Sequence, residues 1–99
     1  MHIVVIRRQV DRSIVSRSDV ERRVRRDMQD LHWRVPRIEV LLWHSDGDGA
    51  PRSMHCTVRM KVAKVGMFEA ESSDADWVRA LHGGIARVRR MLWAELAHL

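Results

Sequence analysis

Cysteine, lysine and tyrosine are scarce or absent in this chain of 99 residues. The single cysteine, Cys56, excludes an internal disulfide and fits a reducing compartment. No apolar run approaches the roughly 20 residues of a membrane span, and the apolar stretch at the start is too short for a signal peptide. These absences predict a cytoplasmic protein that does not enter a membrane.

Aromatic residues are also few, with one phenylalanine, no tyrosine and four tryptophans. An RNA-recognition motif needs aromatic side chains on its central strands, and only Trp43 is expected on a strand face here. A helix-turn-helix protein is helical at its core, which contradicts the strands predicted below. The sequence therefore favours neither of these two classes of nucleic-acid-binding protein.

Catalytic and metal-binding signatures are missing from the sequence. No nucleophile with a base, no paired carboxylates and no glycine-rich phosphate loop can be recognised. His44, His55 and Cys56 flank one hairpin, but without the ligand spacing of a known metal site. Asp46 and Asp48 resemble the start of a calcium loop that lacks its later glutamate, which favours a turn. We therefore predict no catalytic residues, no cofactor, no metal and no small-molecule substrate.

Arginine is what the chain has in abundance. Lysine plus arginine number 18 against 13 acids, and the net charge of +5 favours a polyanionic partner. Only Lys61 and Lys64 are lysines, so nearly all the positive charge lies on guanidinium groups, which bind phosphate at two points and stack on bases. A genome rich in G and C would produce the same bias, and composition leaves both explanations open.

Hydrophobic periodicity predicts a single domain, residues 1–99, with the element order β-α-β-β-β-α. The opening HIVVI predicts a strand, and Ser18 with Glu21 in capping-box spacing predicts a helix over about 18–32. RIEVLLWH at about 37–44, MHCTVRMKV, and a short segment at about 65–71 predict three further strands. A second helix is predicted over about 74–97.

Both predicted helices are amphipathic, so we expect an α+β two-layer sandwich with both helices on one face of a four-stranded sheet, similar to a double-stranded-RNA-binding domain. Val65 and Met67 are expected to share one face of the fourth strand. Gly83 and Gly84 each cost about 1 kcal/mol against alanine inside a helix, which indicates either a weakened helix or the close approach of another backbone. The residues predicted for the core are Val20, Val24, Met28, Leu31, Met54, Cys56, Val58, Met60, Val62, Trp77, Leu81, Ile85, Val88 and Leu92.

The candidate binding residues lie on the outer arcs of the two helices. The arc of the first helix carries arginines with no acid among them, and that of the second carries arginines with no close acidic partner on the arc. Two such arcs side by side predict a continuous positive surface that binds an anion. Trp93 lies on the same arc, where it would stack on a base, shield the helix end or pack against a neighbouring chain. The arginines are Arg22, Arg25 and Arg26 on the first helix and Arg79, Arg89 and Arg90 on the second.

Three stretches of the sequence carry a family resemblance. The opening MHIVVIRR is similar to the family's first strand. Asp46-Gly47-Asp48-Gly49, followed by Cys56-Thr57-Val58, is similar to its Asp-x-Asn-Gly turn and the strand that begins with cysteine. ESSDADWVRALHGGIARVRRML is similar to its final helix, with His82 in place of the usual acid. In this order the stretches resemble the ribosome hibernation promoting factor family, also called the ribosome-associated inhibitor or sigma-54 modulation protein family.

The resemblance implies a non-enzymatic protein that binds the small ribosomal subunit and its rRNA in the channel used by mRNA and tRNA, and that blocks translation in stationary or stressed cells. It also implies that basic positions of the family's two helices are matched here, by Arg22, Arg25 and Arg26 on the first helix and by Arg87, Arg89 and Arg90 on the second. Long members carry a second domain that pairs ribosomes, so this chain is expected to act as a short form. The alternative is a protein-interaction domain, including a homodimeric regulatory domain, that does not bind RNA.

Overall fold

The computed structural model describes residues 1–45 and 53–98 and confirms the two-layer α+β architecture. Two helices cover one face of a four-stranded sheet. The predicted turn at residues 46–49 lies outside the described residues. The elements are β1 (His2–Arg8), α1 (Arg17–Asp27), a short 3-10 helix (His32–Arg34), β2 (Arg37–His44), β3 (Met54–Val62), β4 (Gly66–Asp74) and α2 (Trp77–Leu96).

The strands lie in the order β1-β2-β3-β4. β1 is parallel to β2, and α1 makes the crossover between them, whereas the other two pairs are antiparallel. Strand residues alternate between the helix-covered face and the open face because successive side chains point to opposite sides. The register therefore decides which side chains share the open face, where Trp43 of β2 lies opposite His55 of β3.

The hydrophobic core lies between the helices and the sheet. The predicted alternation of β3 is confirmed, since its five inward residues are all buried while Arg59 and Lys61 are exposed. The apolar stripes of both helices join the same core, except that Trp77 is only partly buried at its rim. The inward residues of β3 are Met54, Cys56, Val58, Met60 and Val62.

The predicted start of α1 is wrong by two residues. Ser16, not Ser18, is the N-cap, and its hydroxyl accepts a hydrogen bond of 3.1 Å from the backbone N–H of Asp19. Both serines suit a cap by type, but Val15 is buried at 1% exposure, so the chain is already anchored to the core one residue before Ser16. α1 ends at Asp27, and a turn followed by the 3-10 helix replaces the rest of the predicted helix.

The prediction that Val65 and Met67 share one face of β4 is wrong. β4 begins at Gly66, and Val65 before it packs against the core. Met67 is 56% exposed and lies opposite Lys61 on the open face of the sheet. Lys64 and Gly66 both adopt positive φ, and this turn sets the register so that Phe68, not Met67, lies opposite the buried Met60. β4 also continues to Asp74, and α2 therefore begins only at Trp77.

The glycine pair of α2 allows close packing on the sheet. α2 is unbroken from Trp77 to Leu96, so the alternative of a weakened helix is not needed. A Cβ on Gly84 would lie 2.9 Å from Cγ2 of Val58 and 3.7 Å from the carbonyl oxygen of Cys56. Gly83 faces the hydroxyl of Ser72 in the same way. Because these two glycines have no Cβ, α2 can pack closely against β3 and β4.

Candidate nucleic-acid interface

The outer surface of the helix layer carries most of the predicted binding residues. The side chains of Arg22 and Arg26 on α1 are 69% and 63% exposed. Arg79 and Arg90 on α2 are also exposed, and Trp93 is 49% exposed. These residues occupy the helix arcs opposite the apolar stripes, as a period of 3.6 residues requires. Most of the predicted binding residues are therefore exposed on the helix layer.

The prediction that this surface contains no acid is wrong on α1. Arg22 forms a salt bridge with Asp19, which lies three residues earlier and thus on the same side of the helix. The hydrogen bond that Arg22 donates to Asp19 lowers the pKa of the Asp19 carboxyl. Nε of Arg26 lies 3.8 Å from the carboxylate of Asp27. Both arginines are nevertheless open to solvent, so each remains accessible to a partner.

On α2, the prediction fails for Arg89. Its guanidinium donates two hydrogen bonds to the carboxylate of Asp30, at 2.7 and 2.8 Å, and a third of 3.0 Å to the carbonyl oxygen of Asp27. The hydrogen bond with Arg89 lowers the pKa of Asp30, and the same contact raises the pKa of Arg89. Arg89 therefore joins α2 to the end of α1.

Arg87 lies on a different flank of α2 from Arg89. Its guanidinium donates a hydrogen bond to the carbonyl oxygen of Glu71 in β4. β4 is the edge strand of the sheet, on the side away from α1. The structure thus does not bring Arg87 together with the arginines of α1, although the sequence places it in the same basic run as Arg89 and Arg90.

Three predicted arginines make no polar side-chain contact within the described part of the chain. Arg25, Arg79 and Arg90 are exposed and form neither a salt bridge nor a side-chain hydrogen bond with any described residue. Arg25 lies toward the β1 side of α1, beside Met1 and Gln29. Arg79 and Arg90 share the outer arc of α2. These three guanidinium groups are free to bind phosphate without breaking an internal contact.

A row of polar contacts separates the two basic arcs. His82 of α2 forms a hydrogen bond with the carboxylate of Asp27, next to the Arg89–Asp30 salt bridge. The two acids reduce the positive charge between the helices. The predicted continuous positive surface is therefore two basic rows on either side of an internally paired boundary.

The residues that form this boundary are not among those predicted from the sequence. Arg23 and Asp27 lie one helical turn apart, on the side of α1 that faces α2. The guanidinium carbon of Arg23 lies 5.6 Å from the ring centre of Trp77, at the start of α2. A half-buried arc between the apolar and exposed arcs of an amphipathic helix is the signal that would have indicated these residues.

The predicted burial of Cys56 is confirmed. Its thiol lies in the core, and burial raises its pKa to about 12. Within residues 1–45 and 53–98 no group of three or more histidine, cysteine, aspartate or glutamate side chains is arranged to hold a metal ion. No helix in the same part of the chain is long and apolar enough to cross a membrane.

Comparisons with known proteins identify the fold. No protein-family model matches the chain, and no curated protein matches it by sequence. The structure is similar to a ribosomal subunit interface protein from Coxiella burnetii, with a TM-score of 0.77 and 16% identity over 98% of this chain and 99% of that one. It is also similar to the N-terminal domain of Protein Y from Thermus thermophilus, with a TM-score of 0.69 and 18% identity over 92% and 94% of the two chains. The chain has the fold of these two proteins along nearly its whole length.

Proposed function

We propose that the chain is a non-enzymatic, ribosome-binding protein of the hibernation-factor kind, which docks on the rRNA of the small subunit and inhibits translation. The observation that carries this proposal is the pair of exposed arginine rows on α1 and α2. It is supported by a fold shared over 98% of the chain with a ribosomal subunit interface protein, and by the three sequence stretches that resemble the hibernation family. The family resemblance also suggests cytoplasmic action in stationary or stressed cells.

The proposed contact is electrostatic and uses the accessible guanidinium groups. Arginine presents a planar set of donors that binds a phosphate at two points. Exposed pairs such as Arg22–Asp19 contribute little to folding, so a phosphate can replace the carboxylate at small cost. We therefore place the RNA contact at the exposed arginines and offer Trp93 as a base-stacking residue. The arginines are Arg22, Arg25, Arg26, Arg79 and Arg90.

Arg87 and Arg89 are weaker members of the proposed interface. Each would have to share or give up a hydrogen bond to the protein before it could bind a phosphate. For Arg89 that loss would also separate α2 from Asp30 in the turn after α1. We propose that Arg89 mainly positions the two arginine rows, and that Arg87 contacts RNA only where a phosphate reaches the β4 side.

A protein partner is the second candidate, and the exposure of Trp93 favours it. Trp93 is 49% exposed on the arc of α2 that carries Arg79 and Arg90. Aromatic residues and arginine are enriched at protein interfaces. An acidic protein, or a second copy of this chain, would use this surface without RNA.

Sedimentation with purified small ribosomal subunits tests the proposal. At low salt and micromolar concentration the protein should pellet with small subunits, and it should slow cell-free translation. mRNA or initiator tRNA bound beforehand should compete, since the proposed site lies in their channel. A protein that neither pellets with small subunits nor slows translation would overturn the ribosome proposal and favour the protein partner.

A further inference from the structure

The open face of the sheet carries a pocket of about 610 Å³ at the junction of β1 and β2. It is lined by Arg8, Gln9, Leu41 and Trp43. This face is opposite to the helix layer, so the pocket is separate from the basic surface described above. We propose that it binds one unpaired nucleotide of single-stranded RNA, with the base stacked on Trp43.

The strand register explains why these side chains meet. Arg8 of β1 lies opposite Trp43 of β2, and Trp43 lies opposite His55 of β3. All three belong to one row across the sheet. The rings of Trp43 and His55 stack with their centres 5.2 Å apart and their planes inclined by 18°. The indole is therefore held in a fixed plane at the wall of the pocket, so binding a base there costs little side-chain ordering.

The charges around the pocket favour an anionic ligand. Glu39, the nearest acid of β2, is paired with Arg37 at 2.8 Å and lies 3.7 Å from Arg59. Among residues 1–45 and 53–98, no acid lines the pocket. Arg8 is exposed and forms no salt bridge or side-chain hydrogen bond with any residue in the ranges 1–45 and 53–98. The pocket thus combines an aromatic wall with one uncommitted positive charge.

Each wall of the pocket suits one part of a nucleotide. An indole stacks on the face of any base, which makes the contact tolerant of sequence. The amide of Gln9 both donates and accepts hydrogen bonds, as the edge of a base requires. The guanidinium of Arg8 binds the phosphate. A base within a duplex is already stacked and paired, so the pocket selects single-stranded RNA.

This site extends the proposed function and does not depend on the helix contact. A domain that binds phosphate through its helices and a splayed base through its sheet would hold RNA on two opposite faces. The two contacts can be removed separately because no residue belongs to both.

Nuclear magnetic resonance of the indole N–H groups tests the site. The probe is a single-stranded RNA of about six nucleotides, within the usual site size of single-strand binders. The Trp43 indole and the Gln9 side-chain amide should shift on titration. Trp43→Ala should weaken binding about tenfold, as the loss of one base–aromatic stack does, and Arg8→Gln should weaken it severalfold. Trp43→Phe should retain most of the affinity, and it guards against unfolding of the alanine variant.

Trp33→Ala is the matched control, because Trp33 is 68% exposed but lies outside the pocket. It should leave the titration unchanged. RNA-induced shifts confined to α1 and α2, with Trp43→Ala binding normally, would overturn the site while leaving the helix contact intact. Equal shifts of Trp43 with an acidic peptide or an RNA duplex would also overturn it. Variants of the helix arginines that lose ribosome binding should still bind the short RNA at Trp43. That result would support the pocket independently of the helix contact.

Discussion

Arg89 and Asp30 form a two-point salt bridge, with Nη1–Oδ1 and Nη2–Oδ2 distances of 2.7 and 2.8 Å, between α2 and the turn that follows α1. The next residue, Arg90, is exposed and has no such contact among the described residues. Two neighbouring arginines of one basic run therefore have different roles. Arg89 fixes the relative position of the helices, and Arg90 is available to a ligand.

This difference predicts opposite effects of two adjacent substitutions. Arg89→Gln should lower the free energy of unfolding by about 1 kcal/mol, because it removes a part-buried pair and a hydrogen bond to the Asp27 carbonyl. Arg90→Gln should change it by less than about 0.5 kcal/mol. Small-subunit binding should show the reverse order, with Arg90→Gln the weaker binder. Urea denaturation and sedimentation measure the two quantities, and equal stability losses would contradict the assignment.

The same pair predicts a dependence on pH. Arg89 lowers the pKa of Asp30 below its ordinary value of 3.8, so the contribution of the pair is present above that value and is lost as pH falls through the lower, folded-state pKa. The stability difference between the wild type and Arg89→Gln should therefore shrink in acid below pH 3.8. A difference that stays constant through this range would show that the pair does not stabilise the fold.

At Gly84 we expect alanine to destabilise the helix relative to glycine, which is the reverse of their usual helix propensities. Gly84→Ala should destabilise the protein by about 1 to 3 kcal/mol, because the new methyl would lie 2.9 Å from Val58 in a packed core. Ala86→Gly is the matched control, since Ala86 is exposed in the same helix and glycine there should cost about 1 kcal/mol. Glycine to alanine at residue 84 and alanine to glycine at residue 86 should thus both lower the stability of the protein. A gain of stability in Gly84→Ala by thermal denaturation would mean that α2 does not lie so close to β3.

The strands and helices show which features of the fold can be predicted from local sequence patterns. The alternation of β3 and the apolar stripe of α2 identified the core, because both depend only on local periodicity. The face of β4 was not predictable, since the positive φ angles of Lys64 and Gly66 set its register. The choice of Ser16 over Ser18 likewise depended on the burial of Val15, which is a tertiary fact.

The binding surface was predictable in its charge but not in its pairing. Spacing on each helix identified the exposed arginines. The acid that engages Arg89 lies 59 residues earlier in the chain, so only the packing of α2 beside α1 brings them together. His82, which departs from the acid usual at its position in the resembling family, similarly forms its hydrogen bond with Asp27, 55 residues away. Contacts between helices therefore decided which arginines remain free.

Cys56 gives a prediction about chemical reactivity. Burial raises the pKa of its thiol to about 12, and the thiolate is the reactive form. Native protein at about pH 8, near the ordinary thiol pKa, should therefore react with an aromatic disulfide reagent only as fast as it unfolds. Protein denatured in guanidinium should react at once with one equivalent. Rapid reaction of the native protein would mean that β3 is not covered by α2.

The salt dependence of binding to small ribosomal subunits tests the central claim most directly. Phosphate neutralisation releases counterions, so with about six contacts the affinity should fall on the order of a thousandfold between about 50 and 200 mM monovalent salt. Replacing Arg22, Arg26 and Arg90 by glutamine should weaken binding and reduce the slope of log affinity against log salt by about two to three.

The matched control removes three exposed charges outside both proposed contacts, by changing Arg37, Lys61 and Lys64 to glutamine, while Arg59 remains beside Glu39. This variant should keep the wild-type slope, and both variants should keep nearly the wild-type melting temperature because the changed residues are exposed. Equal losses of slope in the two variants, or wild-type binding that does not change with salt, would contradict an RNA contact through the helix arginines.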